Sequence, residues 1–338
     1  MVLEKRKKKL RISMFVIILV IIVIAVFAFR TIRASESNQI SEKNDGDKTK
    51  PVFSSTELDF DISISTDKLY SSNGILIRLK DNEVLMQKNS DEVIYPASLT
   101  KMMTAIVAIE NLPNLNEKIK LTTSMFEGLY EAHASMAGFQ PDEEIKAIDL
   151  LYGAMLPSGA ESCIALAVHI AGSEQNFVKL MNQKAQELGM KNTHFENTTG
   201  LHHESHYTTV KDLSVLLNYA LKNDTFREIF TTFIYPIPNT NKHLEGITLY
   251  STLYIRLCEL SDKNIMYGKI LGGKTGYTEE AGLCLASLAK VGNQEYILIT
   301  TGAKGDPRTE QYNVIDALVV YNSIGQQWFR HKNLFKFR

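Results

Sequence analysis

What this sequence has little of narrows its function first. It holds only three cysteines, Cys163, Cys258 and Cys284, far apart and in no CxxC or CxxxxH spacing. An odd, scattered set builds neither a disulfide framework nor a metal site, so the expectation is three free thiols packed as small buried hydrophobes. Charge of one sign is also missing, because 37 basic against 38 acidic residues leave a formal net charge of −1. Without a basic field to hold a polyanion, nucleic acid is not an expected partner. No repeat and no low-complexity tract is present, which argues against a solenoid. What remains is 338 residues of globular composition, 44% hydrophobic and 22% charged, enough for a sizeable core.

The N-terminus is the one strongly biased segment. Lys5, Arg6, Lys7, Lys8, Lys9 and Arg11 precede residues 12–29, eighteen residues whose only polar member is Ser13. As a helix that run would be about 27 Å long, close to a bilayer's hydrocarbon thickness. Basic residues stay on the cytoplasmic side, so the chain after Phe29 is expected outside. A cleaved signal peptide has a shorter apolar region and a small-residue cleavage site, whereas here Phe27, Phe29, Arg30 and Arg33 crowd the exit. The reading is an uncleaved anchor with residues 1–11 cytoplasmic, 12–29 in the plasma membrane as a single pass, and 30–57 a polar tether.

The folded part is expected over residues 58–325, as one domain with 326–338 as a tail. Residues 74–79 and 83–87 read as two strands joined at Lys80-Asp81-Asn82. A helix begins near Ala97. Further helices are expected over 145–155, stopped by Pro157, over 161–171, closed by Gly172, and over 174–188, closed by Gly189. Another covers 210–221, where Thr209 with Asp212 resembles a capping box. Strand character returns over 269–274, 283–289 and 296–301, the last pair joined through Gly292-Asn293. An amphipathic helix over 308–323 ends the domain. Two strands, a helical middle, then three strands and a helix imply an α+β fold whose antiparallel sheet is completed by both chain ends.

Ser-x-x-Lys occurs three times, and alone it means little. Ser65/Lys68 precedes any clear element. Ser287/Lys290 lies on a strand, where residues three apart point to opposite faces. Only Ser98/Lys101 sits at the start of a helix, where i and i+3 share a face and the hydroxyl is near the positive end of the helix dipole. The amine can take the serine proton only when neutral, so the site needs burial or a second cation to lower the lysine pKa. Lys274-Thr275-Gly276 supplies that cation, once in the chain, after Gly272-Gly273 at a strand end. Lysine and threonine can hold a carboxylate while the strand's amides pair with an extended peptide. Ser158-Gly159, after Leu156-Pro157 at a helix junction, would by itself be an ordinary N-cap.

Taken in order, Ser-x-x-Lys, Ser-Gly and Lys-Thr-Gly resemble the active-site signature of penicillin-binding proteins and class A β-lactamases. The surroundings sharpen the likeness. Residues 95–104, Tyr-Pro-Ala-Ser-Leu-Thr-Lys-Met-Met-Thr, and Met155-Leu156-Pro157-Ser158-Gly159 look like segments of the low-molecular-mass serine D-alanyl-D-alanine carboxypeptidases. So do Asn197-Thr198-Thr199-Gly200-Leu201, His206-Tyr207-Thr208-Thr209 with Asp212, and Gly272 to Thr278. The resemblance covers roughly residues 69–323. It implies the β-lactamase/transpeptidase-like fold: a five-stranded antiparallel sheet flanked by helices, with an all-helical subregion.

It also implies roles. Ser98 would attack the carbonyl between two terminal D-alanines of a peptidoglycan stem peptide, with Lys101 as base and Ser158 passing a proton to the leaving group. Lys274 and Thr275 would bind the terminal carboxylate, and the amides of Ser98 and Tyr277 would form the oxyanion hole. β-Lactams would acylate the same serine, and no metal or organic cofactor is needed.

Two departures from the pattern stand out. The second motif usually ends in asparagine, where this chain has Ala160. Glu161 is next to it but about 100° round a helix, no simple replacement. The family also often carries a second β-domain and a C-terminal amphipathic anchor, for which residues 324–338 are too few. A class A β-lactamase would show a deacylating Glu-x-x-Leu-Asn segment, and no glutamate between Ser158 and Lys274 has that context. Two alternatives stay open: a D,D-endopeptidase on cross-links, and a non-catalytic sensor that binds peptidoglycan or β-lactam, which only Ala160 favours.

Overall fold

The computed structural model describes residues 64–334. The expected anchor at 12–29, the linker and the start of the domain at 58 lie outside the described residues. Among the described residues no helix is long and apolar enough to cross a membrane.

In chain order, strands β1 (Asn73–Arg78) and β2 (Glu83–Lys88) form a hairpin. A 3₁₀ turn (Ala97–Thr100) leads directly into helix α1 (Lys101–Asn111). Short strands β3 (Lys118–Lys120) and β4 (Glu144–Lys146) pair with each other. Helices α2 (Ala147–Met155), α3 (Ala160–Ala171), α4 (Glu174–Glu187), α5 (Val210–Ala220) and α6 (Asp224–Thr231) follow. Strands β5 (Ile234–Ile237) and β6 (Ile247–Tyr250) make a second small hairpin, and α7 (Thr252–Glu259) comes next. The chain closes with β7 (Gly268–Thr278), β8 (Gly282–Val291), β9 (Gln294–Ala303) and α8 (Tyr312–Leu334).

The main sheet has five antiparallel strands in the order β2-β1-β9-β8-β7, so both ends of the domain complete it. Alternation sorts its two faces. Ile297 and Ile299 of β9 join a core with Leu99 of the 3₁₀ turn and Met102, Met103 and Ile106 of α1, while Leu298 and Tyr296 join Val314, Ala317 and Tyr321 of α8. A sheet covered on both faces needs continuous apolar strands, and β8 is buried at nearly every position. α1 is buried from Lys101 through Ala108, which marks it as the central helix of the helical layer.

Several local expectations meet a different outcome. Ser98 is not in the α-helix but in the tighter 3₁₀ turn before it, where side chains at i and i+3 eclipse. Residues 145 and 146, expected to open a helix, belong to strand β4, because Ile145 pairs with Ile119. The last helix begins at Tyr312, not 308, and runs to Leu334, so the expected boundary at 325/326 falls inside one element. Cys163 and Cys284 are free and buried, whereas Cys258 is free and exposed. At Thr209 the hydroxyl caps Asp212 N (3.0 Å), but the Asp212 carboxylate accepts from Asn192 N and Thr193 Oγ1 instead of closing a box. The short strands β3 to β6 and helices α6 and α7 were not expected, since elements of three to eight residues carry too little periodicity.

Candidate active site

Ser98 is presented by a turn that two close contacts fix. Ala97 before it has φ 46°, an uncommon conformation for a residue with a Cβ. Gly200, at φ 79°, lies against the same turn, and a Cβ there would come within 1.9 Å of Ala97 O and 3.0 Å of Ser98 N. Gly276 of β7 approaches from the sheet, with a Cβ position 3.1 Å from Ser98 N. Gly200→Ala should therefore destabilise the fold by on the order of 2–4 kcal/mol, since backbone rather than a pliable side chain would have to yield. Thermal unfolding checks this, and an unchanged midpoint would show that the turn is not rigid.

Lys101 reaches back along the turn. Its Nζ is 3.0 Å from Ser98 Oγ and donates to Thr199 O at 2.5 Å. The side chain is almost wholly buried. Burial pushes its pKa below that of an ordinary lysine, against an opposing pull from Cys163 and Glu161. Of those two, Glu161 matters more, because burial pushes the Cys163 thiol up to about 12 and so keeps it neutral.

Lys274 is the second buried amine. It donates to Ser158 Oγ at 2.8 Å and to Thr275 O at 2.9 Å. Burial, and then the charge of Lys101, hold its pKa well below the lysine range. Two ammonium groups sharing one desolvated site titrate as a pair, and losing a proton from one relieves the other. Ser158 has φ 69°, again unusual for a side-chain-bearing residue.

These parts surround a cleft of about 340 Å³. Ser98, Lys101, Ala160, Thr199, Gly200 and Tyr277 line it, with His133 and Ser135 on a neighbouring wall. Ser158 and Lys274 are buried beside Ser98 and Lys101 rather than on the lining. Thr275 Oγ1 is paired with Thr252 Oγ1 (2.6 Å) at the start of α7. The structure thus brings all six sequence-selected residues to one place and gives Lys274 a hydroxyl partner already.

The other two Ser-x-x-Lys pairs are not assembled. Ser65 Oγ bonds Asp67. Ser287 Oγ is buried against the Tyr321 hydroxyl (2.9 Å) on the α8 side of the sheet, while Lys290 is exposed.

Ala160 contributes only a methyl group and its amide, which donates to Ser135 O (2.8 Å). Glu161 points elsewhere: Oε1 accepts from Ala137 N (2.7 Å) and Gly138 N (3.1 Å), and burial raises its pKa. Together 160 and 161 pin the cleft wall. Sequence reasoning missed Thr252 entirely, which has no motif of its own. It gave the 197–201 turn no role, although Thr199 supplies a bond to Lys101.

The family model described as Peptidase S11, D-alanyl-D-alanine carboxypeptidase, matches residues 61–305. The D-alanyl-D-alanine carboxypeptidase DacF of Bacillus subtilis is 38% identical over 238 residues, covering 69% of this chain and 57% of that protein. DacC of Escherichia coli, a D-alanyl-D-alanine carboxypeptidase, is 33% identical over 248 residues, covering 69% and 56%. The chain thus spans a little over half the length of these relatives. Among solved structures, the Streptomyces K15 DD-transpeptidase superposes with a TM-score of 0.68 at 26% identity, covering 77% of this chain and 98% of that one.

Proposed function

The chain belongs to the Peptidase S11, D-alanyl-D-alanine carboxypeptidase family, and on that premise we propose that it removes the terminal D-alanine from peptidoglycan stem peptides through an acyl-enzyme on Ser98. The observation that carries this is the buried Lys101 amine 3.0 Å from Ser98 Oγ. With its pKa lowered by burial, Lys101 spends more time neutral and able to accept the hydroxyl proton. Ser98 Oγ then bonds to the carbonyl carbon and the C–N bond breaks. The departing D-alanine amine takes that proton from Lys101, relayed through Ser158, which Lys274 holds at 2.8 Å. Water attacks the ester while Lys101 takes its proton, the acyl C–O bond breaks, and Lys101 returns the proton to Ser98 Oγ.

The terminal carboxylate falls to Lys274 and Thr275, and the oxyanion to the amides of Ser98 and Tyr277. Donors of that kind are typically worth ~2.7–4 kcal/mol each in the transition state. β-Lactams present a strained amide to the same serine and are expected to remain attached.

Incubating purified protein with a stem pentapeptide tests the reading. Stoichiometric release of free D-alanine is expected. Cleavage of cross-linked dimers without D-alanine release would make the chain an endopeptidase. β-Lactam binding with neither product would make it a sensor.

The same proposal places the catalytic domain outside the bacterial plasma membrane, held by a single pass over residues 12–29. External protease should then digest the domain in intact cells while the protein stays in the membrane fraction. A released protein whose N-terminus lies beyond Phe29 would sink the anchor.

A further inference from the structure

The stretch Asn197 to Leu201 carries no side chain that reacts, yet the nucleophile segment is fastened to it repeatedly. Lys101 Nζ donates to Thr199 O (2.5 Å) and Thr104 Oγ1 to Thr198 O (2.7 Å). Just beyond the turn, His206 Nε2 meets Thr100 Oγ1 at 2.9 Å. Two successive carbonyls therefore face one helix, an arrangement a free loop would not keep.

Asn197 is what shapes it. Its Oδ1 accepts from Gly200 N (2.7 Å), Thr199 Oγ1 (3.1 Å) and Thr199 N (3.2 Å), and its Nδ2 donates to Leu201 O (2.9 Å). One side chain thus closes the turn on both sides of the carbonyl that meets Lys101. Glu174 steadies the neighbour, accepting from Thr198 N and Thr198 Oγ1.

The need for this aim follows from the amine. Neutral Lys101 has two N–H donors and one lone pair, and the lone pair must face the Ser98 hydroxyl. An acceptor that occupies an N–H fixes the rotation. Ala160 offers no acceptor in its side chain, and among the described residues the Lys101 amine bonds only Ser98 Oγ and Thr199 O. We propose that Asn197 is a positioning residue for Lys101: through the Thr199 carbonyl it aims the amine at Ser98, a task that Ala160 leaves undone. The proposal deepens the functional reading and rests on Ser98 and Lys101 being the reacting pair.

The pH dependence separates positioning from simple support. The groups facing Lys101 are Lys274 on β7, Glu161 and Cys163 on α3, and His206 beyond the turn. Burial holds His206 neutral down to about 3 and Cys163 neutral up to about 12. The remaining titratable groups are Lys101 and Lys274, whose pKa values burial lowers, and Glu161, whose pKa burial raises. A carbonyl bonds an ammonium more strongly than a neutral amine, so a turn that no longer presents Thr199 O lowers the Lys101 pKa further.

The test is stopped-flow acylation of Ser98 by a chromogenic cephalosporin, from pH 5 to 9. It uses the full chain, Asn197→Ala, Asn197→Asp, and Asn197→Ala combined with Ala160→Asn. Asn197→Ala should lower the plateau by about 10- to 100-fold and move the acid limb to lower pH. Asn197→Asp keeps the Oδ1 acceptor but loses the Nδ2 donor to Leu201 O, and it adds a negative charge, so it should lose less rate than Asn197→Ala and move the limb to higher pH. Opposite movements cannot come from a smaller folded fraction, and Asn197→Asp carries the test if the alanine variant does not fold. With asparagine at 160 supplying a second acceptor, the loss from Asn197→Ala should shrink. Equal loss in both backgrounds with an unmoved limb overturns the positioning role alone. Acylation of the parent chain at a residue other than Ser98 overturns it together with the proposed function.

Discussion

Ser98→Ala should abolish covalent labelling by a radioactive or fluorescent penicillin and lower D-alanine release by on the order of 10⁴- to 10⁶-fold, the loss that follows removal of a nucleophile from a serine enzyme. The fold should barely change. Ser98 is only partly buried, and among the described residues its hydroxyl has one partner, Lys101. Removing it costs one modest hydrogen bond, about 1 kcal/mol or less. Peptide mass spectrometry of the parent chain should place the label on the peptide containing Ser98. Label on Ser65 or Ser287 would refute the assignment, and both are structurally poor candidates. Ser65 bonds a carboxylate, and Ser287 is sealed between the sheet and α8.

Ala160→Asn should raise the acylation rate. The new amide would stand at the cleft lining beside Lys101 and Ser98, where the native methyl group offers no polar atom. A hydrogen bond to a charged or polarised partner is worth ~1.5–3 kcal/mol, and if it acts mainly in the transition state that is roughly 10- to 150-fold in rate. Peptide turnover should rise with it, still through Ser98. Stopped-flow acylation of the two proteins at one pH decides the matter. A slower variant would mean that the wall from His133 to Gly138, pinned by Ala160 N and Glu161, has been built around the small side chain. The partial-loss account would then be dropped.

The site and the frame that carries it were legible to different degrees. The triplet of motifs was readable because the proposed chemistry limits which residue types can occupy those places. The frame strands β1, β2 and β7 to β9 were readable because they are long enough to show alternation or a continuous apolar run. Thr252 was not readable. A threonine at a helix start is ordinary, and only the packing of α7 on β7 brings its hydroxyl to Thr275.

The 197–201 turn lies between these cases. Its five residues stood out by family likeness, but the bond from Lys101 to a backbone carbonyl leaves no trace in residue identity. By itself, then, the sequence determined which side chains are candidates for the chemistry, the order of the long elements and the one position that breaks the pattern. The tertiary structure decided that Ser98 sits on a 3₁₀ turn rather than an α-helix, that Glu161 bonds the amides of the cleft wall, and that the Lys101 amine meets the Thr199 carbonyl. The physical reason is that apolar periodicity and motif residues are local properties of the chain. Hydrogen bonds across 98 residues, like that from Lys101 to Thr199, exist only once distant backbones have been packed together.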